Sequence, residues 1–290
     1  MSGAVLVSNL ISGVLLGGDL ALTALGLSLV LGVMRVVNLA HGEFLIGGAY
    51  LGMFMLQLFG IDPLVGLLLI GLILAVLAYP IQKFLLSPLI EKGVEAPMMT
   101  AFGLSVILQN VYTILFSGDT RSIERSYATE PLVIGSVTVA QIYVIGFAIS
   151  VVIIVLVHLL VSRTGFGRDL RAAATDPTAA GIMGVDVKRV YALTFALGAA
   201  CAGVGGTLIG LAFSFTPTSG SGYLLTNFAI MVLGGLGNIF GTLIGGMLLG
   251  FLQSLGGVTL GDGYRELVGL VIFLGVLAVK PQGLLSRGRI

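Results

Sequence analysis

The chain has 290 residues, 57% of them hydrophobic and 9% charged, against roughly 25% charged in an ordinary soluble domain; a mean hydropathy of +1.12 excludes separate soluble domains. A net charge of +1 and a pI near 7.9 exclude a basic face for nucleic acid and an acidic tail for a basic partner. A single cysteine, Cys201, excludes an intramolecular disulfide and a thiolate metal cluster.

The first apolar run covers 5–33. No Lys or Arg precedes it, and Leu/Gly-rich sequence continues past any plausible cleavage site, so it reads as a first membrane segment and not a signal peptide. Runs at 43–59, 63–86, 97–116, 139–161 and 190–213 follow, each long enough to span. Shorter runs at 224–236, 240–255 and 267–279 fit tilted spans or half-helices. The runs lack the short alternating pattern of a barrel, so the expected fold is all-α. It is a single polytopic helical bundle over 1–290 with about eight or nine transmembrane segments, some glycine-broken.

Basic residues follow the first run (Arg35), the third (Lys83, Lys92) and the fifth (Arg163, Arg168, Arg171, Lys188, Arg189), and close the chain (Lys280, Arg287, Arg289). Such loops tend to stay cytoplasmic, which makes 163–189 the largest cytoplasmic feature. With 5–33 as one crossing, the N-terminus lies outside and an inside C-terminus needs nine crossings. A break in the first run reverses the N-terminal side.

Glycine accounts for 44 residues, about twice its usual share of roughly 7%. Small-xxx-small pairs such as Gly13/Gly17, Gly48/Gly52 and Gly246/Gly250 let helix backbones approach closely. Gly17-Gly18-Asp19 and Gly234-Gly235-Leu236-Gly237-Asn238 combine weak helix propensity with a polar group inside apolar runs, so both are expected to break their helices. Broken helices in transporters line the pathway, which makes Gly234, Gly235 and Asn238 candidate pathway or gate residues.

The first polar constellation is Arg35, Asn38, His41 and Glu43; ionisable groups this close to lipid need partners or water. An acid/base reading of His41 and Glu43 fails because residues two apart on a helix point away from each other. No second histidine stands at metal-ligand spacing either. No catalytic residue and no metal are expected. Asn38, His41 and Glu43 remain as a polar knot ordering a turn or as part of a pathway, with Asn227 beside them as a further neutral candidate.

The second constellation is the 163–189 loop. Asp176 suits an N-cap, Pro177 the first helical position and Gly184 a helix end, which predicts a short helix over 177–183. Its Ile182 and Met183 need a partner surface, either lipid headgroups or another protein.

A short helix in such a loop, preceded by Arg171-Ala172-Ala173-Ala174, resembles the loop by which ABC-importer permeases engage their ATPases. The chain is most similar to LivH-type permeases of branched-chain amino acid importers. The stretches that carry the resemblance are Val37-Asn-Leu-Ala-His-Gly-Glu43, 165–176 through Gly181-Ile-Met-Gly184, Val232-Leu-Gly-Gly-Leu-Gly-Asn238 with 241–250, and Lys280-Pro-Gln-Gly283, in family order. The resemblance implies an inner-membrane permease that pairs with a second homologous permease, two cytoplasmic ATPase subunits and an extracytoplasmic substrate-binding protein. It also implies ATPase coupling through Arg171, Ala172, Ala173, Asp176, Pro177, Gly181, Ile182 and Gly184. The chain contains no G-x-x-x-x-G-K-[ST], so ATP is expected on the partner subunits and no cofactor on this one. The same resemblance leaves urea or short amides as alternative substrates. A stand-alone secondary transporter would instead need carboxylates at mid-span, for which Asp19, Glu43 and Glu266 are the candidates.

Overall fold

The computed structural model describes residues 3–90, 92–280 and 283. Helix α1 (Gly3–Met34) is followed by a stretch at 35–40 that turns back into the bundle before α2 (His41–Phe59). Asp62 caps α3 (Pro63–Pro80) by accepting from the Leu64 N–H at 2.9 Å, with Pro63 in the first turn. The same rod continues through a π turn (Ile81–Leu86) into α4 (Ser87–Ile90). Next come α5 (Glu95–Phe116), the one-turn α6 (Ser126–Thr129) and a hairpin of β1 (Pro131–Ile134) and β2 (Val137–Ala140), antiparallel with Leu132 opposite Val139. Helix α7 (Gln141–Arg163) leads into α8 (Gly165–Thr175) and α9 (Pro177–Ile182), and α10 (Val187–Ala212), α11 (Gly220–Gly234), α12 (Ile239–Leu260) and α13 (Arg265–Val279) complete the chain.

Among the described residues, seven helical segments are long and apolar enough to cross a membrane; α11 and α13, with 15 residues each, are shorter. Helices α1 and α10 form the buried centre, while α5 and α7 lie mostly exposed on the flanks. Polarity sorts these faces, because lipid offers no drive to bury Leu or Ile. Thus Asp19, Thr23, Ser28, Glu43, Thr207, Asn227 and Thr242 are buried, whereas Leu68, Ile107, Ile114 and Val152 face outward.

The expected break at Gly17-Gly18-Asp19 does not occur: α1 runs unbroken through it. A Cβ on Gly17 would overlap the Gly246 carbonyl and one on Gly250 the Gly13 carbonyl, so these glycines let α1 and α12 touch backbone to backbone. Asp19 faces α7, where Ser150 Oγ donates to its Oδ1 at 3.2 Å. The expected break at 234–238 is present. Helix α11 ends at Gly234, Gly235 and Gly237 take φ of +85° and +75°, and Asn238 caps α12 by accepting from the Gly241 N–H at 2.9 Å.

Arg35, Lys83, Lys92 and the α8–α9 segment gather at one end of the bundle, where Arg35 donates to the Ala174 carbonyl at 3.4 Å. Gly283 lies there too, against Gly235; Arg287 and Arg289 fall outside the described residues. The opposite end carries the Asp62–Arg125 ion pair at 3.2 Å and the hairpin, to which Ser8 of α1 is bonded through the Thr138 N–H. The beginning and end of the described chain thus lie at opposite ends, as an odd number of passes requires.

Candidate translocation site

Two helices begin at mid-depth and not at an end of the bundle. His41, the first residue of α2, donates from Nε2 to the Thr23 carbonyl at 2.9 Å. Thr23 lies about 16 Å from the α1 end at Met34, at 1.5 Å per residue, so the chain has doubled back to mid-depth before α2 starts. Helix α11 does the same from the other side. Phe215 pairs with Arg121 at the hairpin end, yet Gly220 a few residues later packs on Gly42, where a Cβ on Gly42 would overlap the Gly220 carbonyl. The N-termini of α2 and α11 therefore meet at mid-depth, with His41 and Gly220 buried and Ser221 and Gly222 exposed at the flank.

Buried polar groups surround that junction. Thr23 Oγ1 lies 2.7 Å from the Asn227 side-chain oxygen and 2.8 Å from the Leu20 carbonyl. One hydroxyl hydrogen cannot serve both acceptors. With the Asn227 amide turned over, its nitrogen donates to Thr23 and Thr23 donates to Leu20, which resolves that conflict. On the other face of α2, Glu43 Oε1 accepts from Gln109 Nε2 at 2.8 Å and from Ser105 Oγ at 3.2 Å, and Tyr112 donates to the Glu43 backbone carbonyl at 3.0 Å. Toward the hairpin end an aromatic layer closes the bundle: Tyr50 stacks on Phe116 at 4.3 Å and meets Phe215 edge-on at 5.0 Å.

The Arg35–Glu43 constellation is not one cluster. Arg35 is exposed at the basic end, the Asn38 side chain accepts from the nearby Ala40 N–H at 3.1 Å, and His41 and Glu43 diverge to α1 and α5. Asn227 joins Thr23 at mid-depth, but Gly234, Gly235 and Asn238 sit nearer the basic end, where Ser28 accepts from the Gly237 N–H at 3.0 Å. Sequence reasoning missed Thr23, Ser105 and Gly220 as members of the central layer. The run Thr-Pro-Thr-Ser-Gly-Ser-Gly over 216–222 is the signal that could have revealed the start of α11. Among the described residues no group of three or more His, Cys, Asp or Glu side chains is placed to hold a metal.

At the basic end, Asp176 Oδ1 accepts from the Thr178 and Ala179 N–H groups at 2.9 and 3.0 Å, and Pro177 occupies the first turn of α9. Gly184, at φ +89°, donates to the Gly181 carbonyl and turns the chain toward α10. Arg171 points inward to the Val161 carbonyl and Ala173 is buried, while Ala172 is exposed. Helix α8 is thereby fixed to α7, and α9 projects from it with Ile182 and Met183 82% and 83% exposed.

Hollows open at two places among the described residues that bear on a passage. One lies at the basic end between Met34, Asn38, Gln82 and Phe195; another lies between α11, α12 and α13 beside Gln253 and Glu266. Neither is lined by residues from both ends, so neither provides a continuous passage.

An apolar-faced bundle with a buried polar layer and two helices starting at mid-depth defines a multi-pass membrane permease. The model of the family described as branched-chain amino acid transport system / permease component matches residues 9–279, and the chain belongs to that family, as a transport subunit of the bacterial inner membrane. It is 28% identical to the high-affinity branched-chain amino acid transport system permease protein BraD of Pseudomonas aeruginosa, over 97% of this chain and 96% of that protein. Against the corresponding permease protein LivH of Escherichia coli K12 the identity is 30% at the same coverage. A probable LivH of Methanocaldococcus jannaschii is 30% identical over 98% of this chain and 91% of that one. The family works as permease components of ABC importers, together with ATPases and binding proteins. Neither a urea or amide permease nor a stand-alone secondary transporter is favoured by these relatives.

Proposed function

We propose that this chain lines the membrane pathway of a branched-chain amino acid importer, pairing with a second homologous permease, two cytoplasmic ATPases and an extracytoplasmic binding protein. The substrate class follows from the family and from the names its relatives carry. The observation that supports the energy coupling is α9. A six-residue helix capped at both ends, with Ile182 and the adjoining Met183 presented outward, is shaped to enter a groove on another protein. Asp176, Pro177, Gly181, Ile182 and Gly184 build that projection; Arg171 and Ala173 anchor its base, and Ala172 lies exposed beside it. This chain holds no cofactor in this reading, and ATP is bound and hydrolysed by the partners.

ATP-driven closure of the ATPase pair pushes on α9. Helix α8 passes the displacement to α7 and α10, and α10 packs on α2 at Gly48 and Gly203. Motion at the basic end thus reaches the junction of α2 and α11. Purification from native membranes, with identification of the co-purifying chains, tests the assembly. An ATPase pair with a second permease is the expected result; a homo-oligomer alone refutes it.

A further inference from the structure

We propose that the junction of α2 and α11 binds the zwitterionic head of the amino acid in transit. The Glu43 carboxylate takes the α-ammonium group, and the N-terminus of α11 at 220–222 takes the α-carboxylate. The proposal rests on the importer reading above and adds to it the residues that recognise the substrate.

Glu43 is 1% exposed, and its two oxygens differ. Oε1 accepts from Ser105 and Gln109, whereas Oε2 has no hydrogen-bond partner among the described residues. A buried carboxylate oxygen left without a donor is costly. A substrate ammonium supplies both the missing donor and the opposite charge. The carboxylate lies against the start of α11: a Cβ on Gly220 would stand 2.7 and 2.9 Å from its two oxygens. No side chain caps that helix, so its first backbone N–H groups point outward without intrahelical acceptors, and its positive end favours an anion.

A negative group and a positive helix end side by side at mid-depth match the two charges of an amino acid. They match a neutral amide poorly, since it would leave one or both unpaired. With no side chain on Gly220, the carboxylate rests directly against the helix start. Ser221 and Gly222 are exposed, so the helix end faces the flank of the bundle. Gln109, half-buried on α5, shields Glu43 from that side. Helix α5 also carries the exposed Asn110 next to it, which provides a reporter position outside the site itself.

The test uses the complete transporter in proteoliposomes with its binding protein. Wild-type protein must first show ATP-dependent leucine uptake; without it the importer reading and this proposal both fall. Glu43→Gln, which keeps shape and removes charge, is expected to lower leucine uptake about tenfold or more, with assembly onto the ATPases intact; wild-type uptake by the variant overturns the proposal. A second arm keeps Glu43 in place. Cys201 is buried, so Asn110→Cys introduces one accessible thiol into this chain, whose labelling is read on its own band. Leucine is expected to slow its maleimide labelling, while leucinamide and N-acetyl-leucine, each lacking one charge of the head, leave it unchanged. Protection by either analogue equal to that by leucine, or none by leucine, overturns the assignment.

Discussion

Replacing both Ile182 and Met183 with Ser separates what α9 does for the permease from what it does for a partner. Both side chains are more than four-fifths exposed and outside the buried core, and α9 is held by the Asp176 cap and the Gly184 turn, which the substitutions leave alone. The permease itself should therefore change by no more than about 0.5 kcal/mol. Full burial of each side chain in a partner groove is worth about 1.5–3 kcal/mol. After the incomplete conversion of interface burial into affinity, about 3–4 kcal/mol remains for the pair. The ATPase should then bind on the order of 100- to 1,000-fold more weakly. Titration of the purified ATPase subunit onto wild-type and variant permease gives that ratio, and a thermal melt of the permease alone gives the control. An unchanged affinity, or a large fall in permease stability with no partner present, would refute the reasoning.

Three further outcomes follow from the packing and electrostatics. Gly17→Leu should destabilise the bundle by about 2 kcal/mol or more, since its side chain meets the Gly246 carbonyl in a backbone-to-backbone seam; detergent-resistance melts read this directly. Thr23→Val should cost about 1–3 kcal/mol by stranding the buried Asn227 amide. Adding Asn227→Leu should recover much of that loss in a double-mutant cycle. At the hairpin end, burial and the hydrogen bond to Asp62 raise the Tyr127 hydroxyl above its ordinary value of 10.0. Folding therefore favours the neutral phenol, so its contribution is fully present below pH 10 and fades above it. Alkaline melts of Tyr127→Phe should show a smaller decline over that range than wild type.

Features set by a few neighbouring residues were legible in the sequence. Asp176-Pro177 and Gly184 define α9 through one carboxylate, one fixed φ and one left-handed turn, none of which needs a distant partner. The helix run boundaries likewise followed from hydropathy, because lipid demands long apolar segments. Gly17-Gly18-Asp19 could not be resolved in the same way. Whether paired glycines break a helix or seat a neighbour depends on Gly246 and Gly250 more than two hundred residues later. The start of α11 was obscured because a polar, glycine-rich segment that dips into a bundle has the same composition as an external loop. The hairpin at 131–140 was readable in principle: Val, Ile and Thr flank Gly135-Ser136 in an alternating run.

The central claim is that this chain moves branched-chain amino acids only as part of an ATP-driven assembly. Proteoliposomes containing the chain with its co-purified permease and ATPases, supplied with the binding protein and labelled leucine, measure that claim directly. Accumulation that requires ATP inside the ATPase-facing compartment, and that is absent when this chain is reconstituted alone, is the predicted result. Leucine flux through the chain alone, without ATP, would contradict the account.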